Sequence, residues 1–365
     1  LVGSEMCIRD SLLNDTLIKN AAALISQASQ IAIKAGGGSR KAAKALLCFA
    51  ETSGAMVVLS PGSTGVVPDD HPQNMHVGGS KGSISGNYAM QEAELVIFVG
   101  SRGVCQSDCS GIGWPKAKHV ININTDFNDV LHYNNTLALQ GDAATILEQL
   151  TQCLDKQKNK SEWLSKCLTK KKEWQAFKKE RFEAATIEDD IWGTPLLTQP
   201  QVIKIADDFA RLHRAIKFFD AGDVQANGFQ VVEDNSPEET FTDSGSSYMG
   251  FAVSALLSQA LANKGCYSIA LTGDGSFMMN PQILIDGIQH GVHGTILLLD
   301  NRRMAAISQL QEAQYSCAYR TNDVVEVDYV KMAQSVKGIQ AFWGGTNLKD
   351  LKKVLVEAYA HSGLS

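Results

Sequence analysis

Short apolar runs that stop abruptly at glycine, aspartate or asparagine recur along this chain, with helical stretches between them. They are "QIAIKAGGG" (30–38), "AMVVLSPG" (55–62), "ELVIFVG" (94–100), "HVININTD" (119–126), "AIKFFDAG" (215–222), "CYSIALTGDG" (266–275) and "GTILLLDN" (294–301). Runs this short, bounded by turn formers and apolar at nearly every position, read as strands covered on both faces. Strands of that kind alternating with helices restrict the chain to the α/β class with mainly parallel sheets. At 365 residues the chain has room for two domains of ordinary size. The expectation is two doubly wound, mainly parallel-sheet domains joined by a helical linker: a first domain over 11–152, the linker over 153–194, and a second domain over 195–365.

The linker is assigned from "DKQKNKSEWLSKCLTKKKEWQAFKKERFEAA" (155–185), where lysines surround Trp163, Leu164, Cys167, Trp174 and Phe177 at roughly helical spacing. A basic amphipathic helix can bind a membrane or a partner. Acidic residues interrupt the lysines and domains flank both sides, so a solvated linker helix is the preferred reading. The opening "LVGSEMCIRDS" lacks periodicity and resembles a peptide produced by translating adaptor DNA, so residues 1–10 are set aside as an artefact or disordered. The last residues, "EAYAHSGLS", stop where a helix would hand over to another strand, and a fragment of a longer product is expected.

Composition narrows the function classes. A net charge of −6 supplies no basic footprint for nucleic acid. No apolar run approaches the roughly 18–20 residues of a membrane span. The eight cysteines are scattered, and Cys105 and Cys109 lack a second Cys or His pair at metal-ligand spacing. They are read as reduced thiols of a cytoplasmic protein.

The chemistry concentrates at two strand ends. Asp274 stands between Gly273 and Gly275, where an apolar strand stops, and ligands of open α/β sheets bind at carboxyl ends of strands. The glycines let a ligand approach the backbone. Asn280 before Pro281 reads as a helix N-cap. Alone, Gly-Asp-Gly is a common surface turn. The second half comes 27 residues further on, where another strand ends in Asp300-Asn301. Adjacent parallel strands would set Asp274 beside Asn301, and a carboxylate, an amide oxygen and a carbonyl form a hard-oxygen set suited to Mg²⁺. The ion would bridge to a diphosphate that meets the amides of Gly275 and Ser276.

In order and spacing, "GDGSFMMNPQILIDGIQHGVHGTILLLDN", "DSGSSYMGFAVSALL" and "DAGDVQANGF" resemble the thiamine diphosphate enzymes of the acetolactate synthase and benzoylformate decarboxylase superfamily. "AGGGSRKAAKAL", "GVVPDDHP" and "NYAMQEAELVIFVGSR" are similar to its central domain. The resemblance covers essentially the whole chain after the first ten residues. It implies that Asp274 and Asn301 ligate the metal through side chains and Arg303 through its main-chain carbonyl. It places Gly273, Gly275 and Ser276 on the diphosphate, with Gly222 and Gln225 beside it. Met249 would support the bend of the cofactor, although a methionine also fills core gaps. No catalytic side chain is assigned.

The implied activity is making or breaking a carbon–carbon bond next to the carbonyl of a 2-oxo acid or 1,2-dione, acetolactate synthase-like. The alternatives are a hydrolase resembling the inositol-pathway enzyme that opens a trihydroxycyclohexanedione ring, or a non-catalytic cofactor-binding paralogue. Two departures bear on the substrate: Asp300 replaces the usual first Asn, and Ala305-Ala306 stand where many relatives have Gly-Met. Family enzymes also carry a pyrimidine-binding domain with an activating glutamate, expected before residue 11 and absent from this sequence. A homodimer or tetramer is expected of the full-length protein, because the family's cofactor domains meet across subunits. Gly36-Gly37-Gly38 and Arg102 lie where some relatives hold FAD. GxGxxG is not met and no ribose-binding acid follows, which weighs against it. His71 in "PDDHP" reads as a loop residue.

Overall fold

A computed structural model describes residues 15–102, 113–131, 135–155, 160–243, 245–262, 265–317, 319–321 and 325–365. Residues 1–10 of the sequence reading, Cys105 and Cys109 lie outside them. The chain divides into two compact units, residues 1–178 with 233–237, and residues 179–232 with 238–365.

The first unit is built on β1 (Ile31–Ala35), β2 (Met56–Leu59), β3 (Asn74–Val77), β4 (Leu95–Val99), β5 (His119–Asn124) and β6 (Thr136–Gln140). They form one sheet in the order β3-β2-β1-β4-β5-β6, every pair parallel. All five residues of β1 and of β4 are buried, which is why these strands read as apolar runs rather than alternating ones. The exception, Lys34 in β1, is buried with its Nζ donating to the Leu59 carbonyl at 2.9 Å. This strand order reverses direction between β1 and β4, where a doubly wound sheet normally opens a crevice. Here the chain fills that place itself. Gly36 N–H donates to the Val99 carbonyl (2.8 Å) and Gly38 N–H to the Gly100 carbonyl (3.0 Å). A Cβ on Gly36 would lie 2.3 Å from the Gly100 oxygen, so the glycines serve backbone-on-backbone packing.

The lysine-rich stretch forms the helix Ser161–Phe182, which buries Trp163, Cys167, Lys171, Trp174 and Lys178 along one face. Trp163 and Cys167 join Met56, Met75, Phe98 and Trp114 in the core of the first unit, so this helix is packed rather than solvated all round. Its buried lysines keep hydrogen bonds: Lys171 Nζ donates to the carbonyls of Asp69 and His71, both at 2.8 Å. Lys160, just before the helix, donates to the carbonyls of Ser53 (2.8 Å) and Ile25 (3.3 Å). Burial pulls both ammonium groups down to about 8. His71 is a loop residue, its Nδ1 accepting the Gln73 N–H at 3.3 Å.

The second unit begins with an antiparallel hairpin, β7 (Ile187–Asp189) and β8 (Thr194–Leu196), in a stretch the sequence reading left inside the helical linker. Its main sheet holds β9 (Ile216–Phe219), β10 (Thr240–Thr242), β11 (Ser268–Gly273) and β12 (Gly294–Leu299) in the order β10-β9-β11-β12, all parallel. Phe219, Ile269 and Leu271 pack on one side with Ile203 and Ala206, while Phe218 and Ala270 pack on the other with Ala252 and Phe277. The fold is therefore α/β with two parallel sheets, as the apolar runs predict.

Candidate functional site

The carboxyl ends of β9, β11 and β12 carry the sequence-predicted residues. Strands β11 and β12 are adjacent and parallel, with Gly273 paired to Leu299, so the chain leaves them into Asp274 and Asp300-Asn301 side by side. Between β9 and β11 the connections diverge. The helix Asp223–Val231 contributes Val224 and Val231 to one face of the sheet, and Phe277 and Ile283, which follow β11, pack on the other. That divergence defines the switch point of this sheet.

One buried carboxylate ties the switch point together, and sequence reasoning missed it. Asp220, directly after β9, is fully buried. Its Oδ1 accepts the N–H groups of Ala221 (2.9 Å) and Gly250 (2.8 Å), and its Oδ2 accepts the Thr272 hydroxyl at 2.9 Å. One side chain thus ties its own turn after β9 to the Gly250 turn and to the end of β11. Burial pushes the Asp220 carboxyl above the usual carboxylate range, against the hydrogen bonds that favour its ionised form. The available signal was its position, since it follows a strand as Asp274 and Asp300 do.

Around this node the glycines leave space. A Cβ at Gly222 or Gly273 would meet no heavy atom within 4 Å, and Gly222 adopts a left-handed φ of +83°. Gly275 is flanked by two methionines, with the Met304 sulfur 3.2 Å and the Met249 Cε 3.6 Å from where its Cβ would lie. The helix Asp274–Phe277 starts on the aspartate itself, and its first turn leaves the Gly275 and Ser276 amides without intrahelical carbonyls. Asp274 and Ser276 are both buried.

Met249 sits in the turn that precedes the helix Phe251–Ala255 and lines an open, mainly apolar depression of about 440 Å³, with Gly250, Phe251, Ser254 and Asn280 among its walls. Asn280 does not cap a helix. The helix begins at Ile283 with Gln282 at its cap, and the Asn280 amide instead donates to the Gly250 carbonyl at 3.1 Å. Gly250 accommodates this approach by lacking a Cβ and by its φ of +89°. Gln225 is turned to a local task as well: its Nε2 donates to the Thr242 hydroxyl (2.7 Å) and the Asp243 carbonyl (2.8 Å), pinning the loop after β10.

The turn after β12 is folded on its own side chains. Asp300 Oδ1 accepts the Arg302 N–H at 3.0 Å, and Asn301 Oδ1 accepts the Arg303 N–H at 3.2 Å. An amide oxygen has two lone pairs, so this bond leaves Asn301 one for a cation. The Arg303 side chain points away to Asp189 of the hairpin, its Nη2 3.1 and 3.3 Å from the two carboxylate oxygens. A carboxylate and an amide oxygen on neighbouring strand ends, beside glycines whose missing side chains leave open space, fit a magnesium–diphosphate group. In the first unit the Gly36 and Gly38 amides of the glycine-rich turn are already donated to β4 and its following turn.

Among the described residues no helix is long and apolar enough to cross a membrane, and the described cysteines are free thiols. Comparison with known proteins matches residues 18–150 to the thiamine pyrophosphate enzyme central domain and residues 220–365 to the C-terminal thiamine pyrophosphate-binding domain of the same enzymes. The chain is 28% identical to the 3D-(3,5/4)-trihydroxycyclohexane-1,2-dione hydrolase of Bacillus velezensis, over 93% of this chain and 57% of that protein. It is 28% identical, with the same coverage, to the enzyme of that name from Listeria monocytogenes. A putative thiamine pyrophosphate-containing protein of Bacillus subtilis, YdaP, is 27% identical over 87% of this chain and 53% of its own length. The chain thus spans a little over half the length of the curated relatives it matches.

Proposed function

Since the chain belongs to the thiamine pyrophosphate enzyme superfamily, with that superfamily's central and cofactor-binding domains, we propose that it forms those two parts of an enzyme dependent on thiamine diphosphate and magnesium. The observation that carries the cofactor reading is the open glycine edge at Gly222 and Gly273, set beside Asp274 and the Asn301 turn on adjacent parallel strands. Asp274 and Asn301 would hold the metal through side-chain oxygens and Arg303 through its carbonyl. The Gly275 and Ser276 amides would meet the diphosphate, and Met249 would support the cofactor from its turn. When bound, thiamine diphosphate supplies the electron sink that lets a bond beside a carbonyl be made or broken.

For the substrate, a cyclic 1,2-dione opened by hydrolysis is better supported than an acetolactate synthase-like condensation, because several similar proteins carry the trihydroxycyclohexanedione hydrolase name. The residues of this chain position and desolvate. Asp220 holds the Gly250 turn and the end of β11 in register with the turn after β9, and the depression beside Met249 offers apolar wall to a bound molecule. Turnover is proposed to need the remaining length of such relatives, in an assembly of at least two copies.

Asp274→Ala tests the cofactor reading. Metal-dependent affinity for thiamine diphosphate is expected to fall by at least about a hundredfold, since loss of a metal ligand costs more than the 10–100-fold typical of its outer partners. Calorimetric titration of the variant with unchanged affinity would overturn the assignment. A chain extended to the relatives' full length, assayed on the cyclic dione and on pyruvate, tests the substrate class. Turnover on pyruvate alone would restore the acetolactate-type reading.

A further inference from the structure

We propose that the β7–β8 hairpin clamps the Asn301 turn, with Asp189 and Trp192 acting as positioning residues for metal binding; this rests on the cofactor reading above. The hairpin grips both residues that follow Asn301. Arg303 Nη2 lies 3.1 and 3.3 Å from the two Asp189 oxygens. The Arg302 guanidinium lies 3.9 Å from the centre of the Trp192 ring, within cation–π range. Trp343 backs that ring at 5.9 Å, and Glu326 takes the Arg302 Nη2 at 3.0 Å.

The hairpin is itself ordered by the same carboxylate. Asp189 Oδ1 accepts the N–H groups of Ile191 (2.9 Å) and Trp192 (3.1 Å), and the Asp189 carbonyl accepts the Gly193 N–H at 2.7 Å. One side chain therefore shapes the hairpin tip and fixes Arg303.

The grip matters because the turn it holds is an unfavourable one. Arg302 has a φ of +51°, a left-handed conformation that a residue with a Cβ adopts only where its surroundings enforce it. That conformation turns the chain so that the Arg303 N–H reaches the Asn301 Oδ1 at 3.2 Å, fixing the amide oxygen proposed for the metal. Releasing the two arginines removes the hairpin's share of what holds the turn, leaving the Asp300 and Asn301 side chains and Glu326 to hold it alone. Charge acts in the same direction. Asp189 offsets the Arg303 cation, and without it an unpaired positive charge stands two residues from Asn301, on the residue whose own carbonyl is a proposed ligand, opposing a divalent cation.

The test uses the full chain with Mg²⁺ titrated at fixed thiamine diphosphate, alongside hydrogen–deuterium exchange of the unliganded chain over Asp300–Met304. Asp189→Asn keeps an acceptor for the hairpin tip and removes the charge. The expected result is about a tenfold rise in the magnesium concentration at half-saturation, the scale usual for an outer partner of a metal ligand. Cofactor stoichiometry at saturating magnesium should be unchanged, and the Arg302 and Arg303 amides should exchange faster. Trp192→Leu should move both readouts the same way, and Asp189→Glu should recover part of the metal affinity. Unchanged half-saturation in Asp189→Asn overturns the clamp, even if the thermal midpoint falls or exchange quickens, because the hairpin would then be merely structural. A wild-type chain that takes up no thiamine diphosphate at any magnesium concentration overturns the cofactor reading and this proposal with it. Wild-type uptake with an unaltered variant overturns the clamp alone.

Discussion

The two units present the same apparent signal, a glycine-rich turn at the carboxyl end of a parallel strand, and use it in opposite ways. In the first, Gly36 and Gly38 press against Gly100, and their amides are donated to Val99 and Gly100. In the second, Gly222 and Gly273 face space that, among the described residues, no neighbouring side chain or backbone fills within 4 Å of a Cβ. A missing side chain admits either the protein's own backbone or a ligand. Only the partner in space decides which.

The largest break in this comparison should come from adding one methyl group to each turn. Gly36→Ala drives a Cβ to 2.3 Å from the Gly100 oxygen and should cost the first unit about 3 kcal/mol, read from thermal or urea unfolding. Gly273→Ala meets no atom, and with φ of −83° its backbone suits alanine, so stability should change by less than about 1 kcal/mol. Its thiamine diphosphate affinity should nevertheless fall about tenfold, or roughly 1.4 kcal/mol. Equal stability losses in the two variants would contradict the distinction.

Asp220→Asn should have an intermediate effect. The replacement keeps the shape but weakens a side chain that receives two N–H groups and the Thr272 hydroxyl, and about 1.5 kcal/mol of second-unit stability should go with it. First-unit unfolding should be untouched. A variant as stable as the parent would show that the turn after β9, the Gly250 turn and the end of β11 hold their places without it.

The smallest effect separates the units by pH. Lys160 and Lys171 have folded values lowered from 10.5 to about 8, so between those limits the unfolded chain binds more protons than the folded one. Their contribution makes the first unit more stable as pH rises from 8 to 10.5, offset in part by the buried Cys167 thiol, which burial raises from 9 to about 12 and which costs stability above pH 9. Burial raises Tyr267 of the second unit above 10, so there the folded form keeps a proton that the unfolded chain loses. Its contribution makes the second unit less stable as pH rises through 10. Urea midpoints of the two transitions at pH 8 and pH 10.5 should diverge in those directions. Lys171→Met should flatten the first trend, and parallel shifts would contradict the assignment.

What the sequence made legible was local or periodic. Apolar runs announced β1, β2, β4, β5, β9, β11 and β12 but not the more polar outer strands β3, β6 and β10, and the spacing from Asp274 to Asn301 announced adjacent parallel strands, which β11 and β12 are. Less legible were arrangements whose partners lie far apart. Asp220 reaches residues 30 and 52 positions away. Asp189 meets an arginine 114 residues later, and no periodicity connects them. Asn280 before Pro281 matched a helix cap by type, but tertiary contact with Gly250 took its amide elsewhere. The lysine-rich helix misled in the same way, because its buried Lys171 is satisfied by the carbonyls of a distant loop and its Lys178 by Glu233. Gly36–Gly38 could not be told from a ligand cradle until Gly100 was seen against them.

The most direct test of the central claim, that the second glycine edge is open for a cofactor and the first is closed by its own backbone, is calorimetric titration of the chain with thiamine diphosphate in magnesium, again in EDTA, and separately with FAD. The account predicts saturable uptake of thiamine diphosphate that EDTA abolishes, and no uptake of FAD. FAD binding, or a folded chain indifferent to thiamine diphosphate in magnesium, would contradict it.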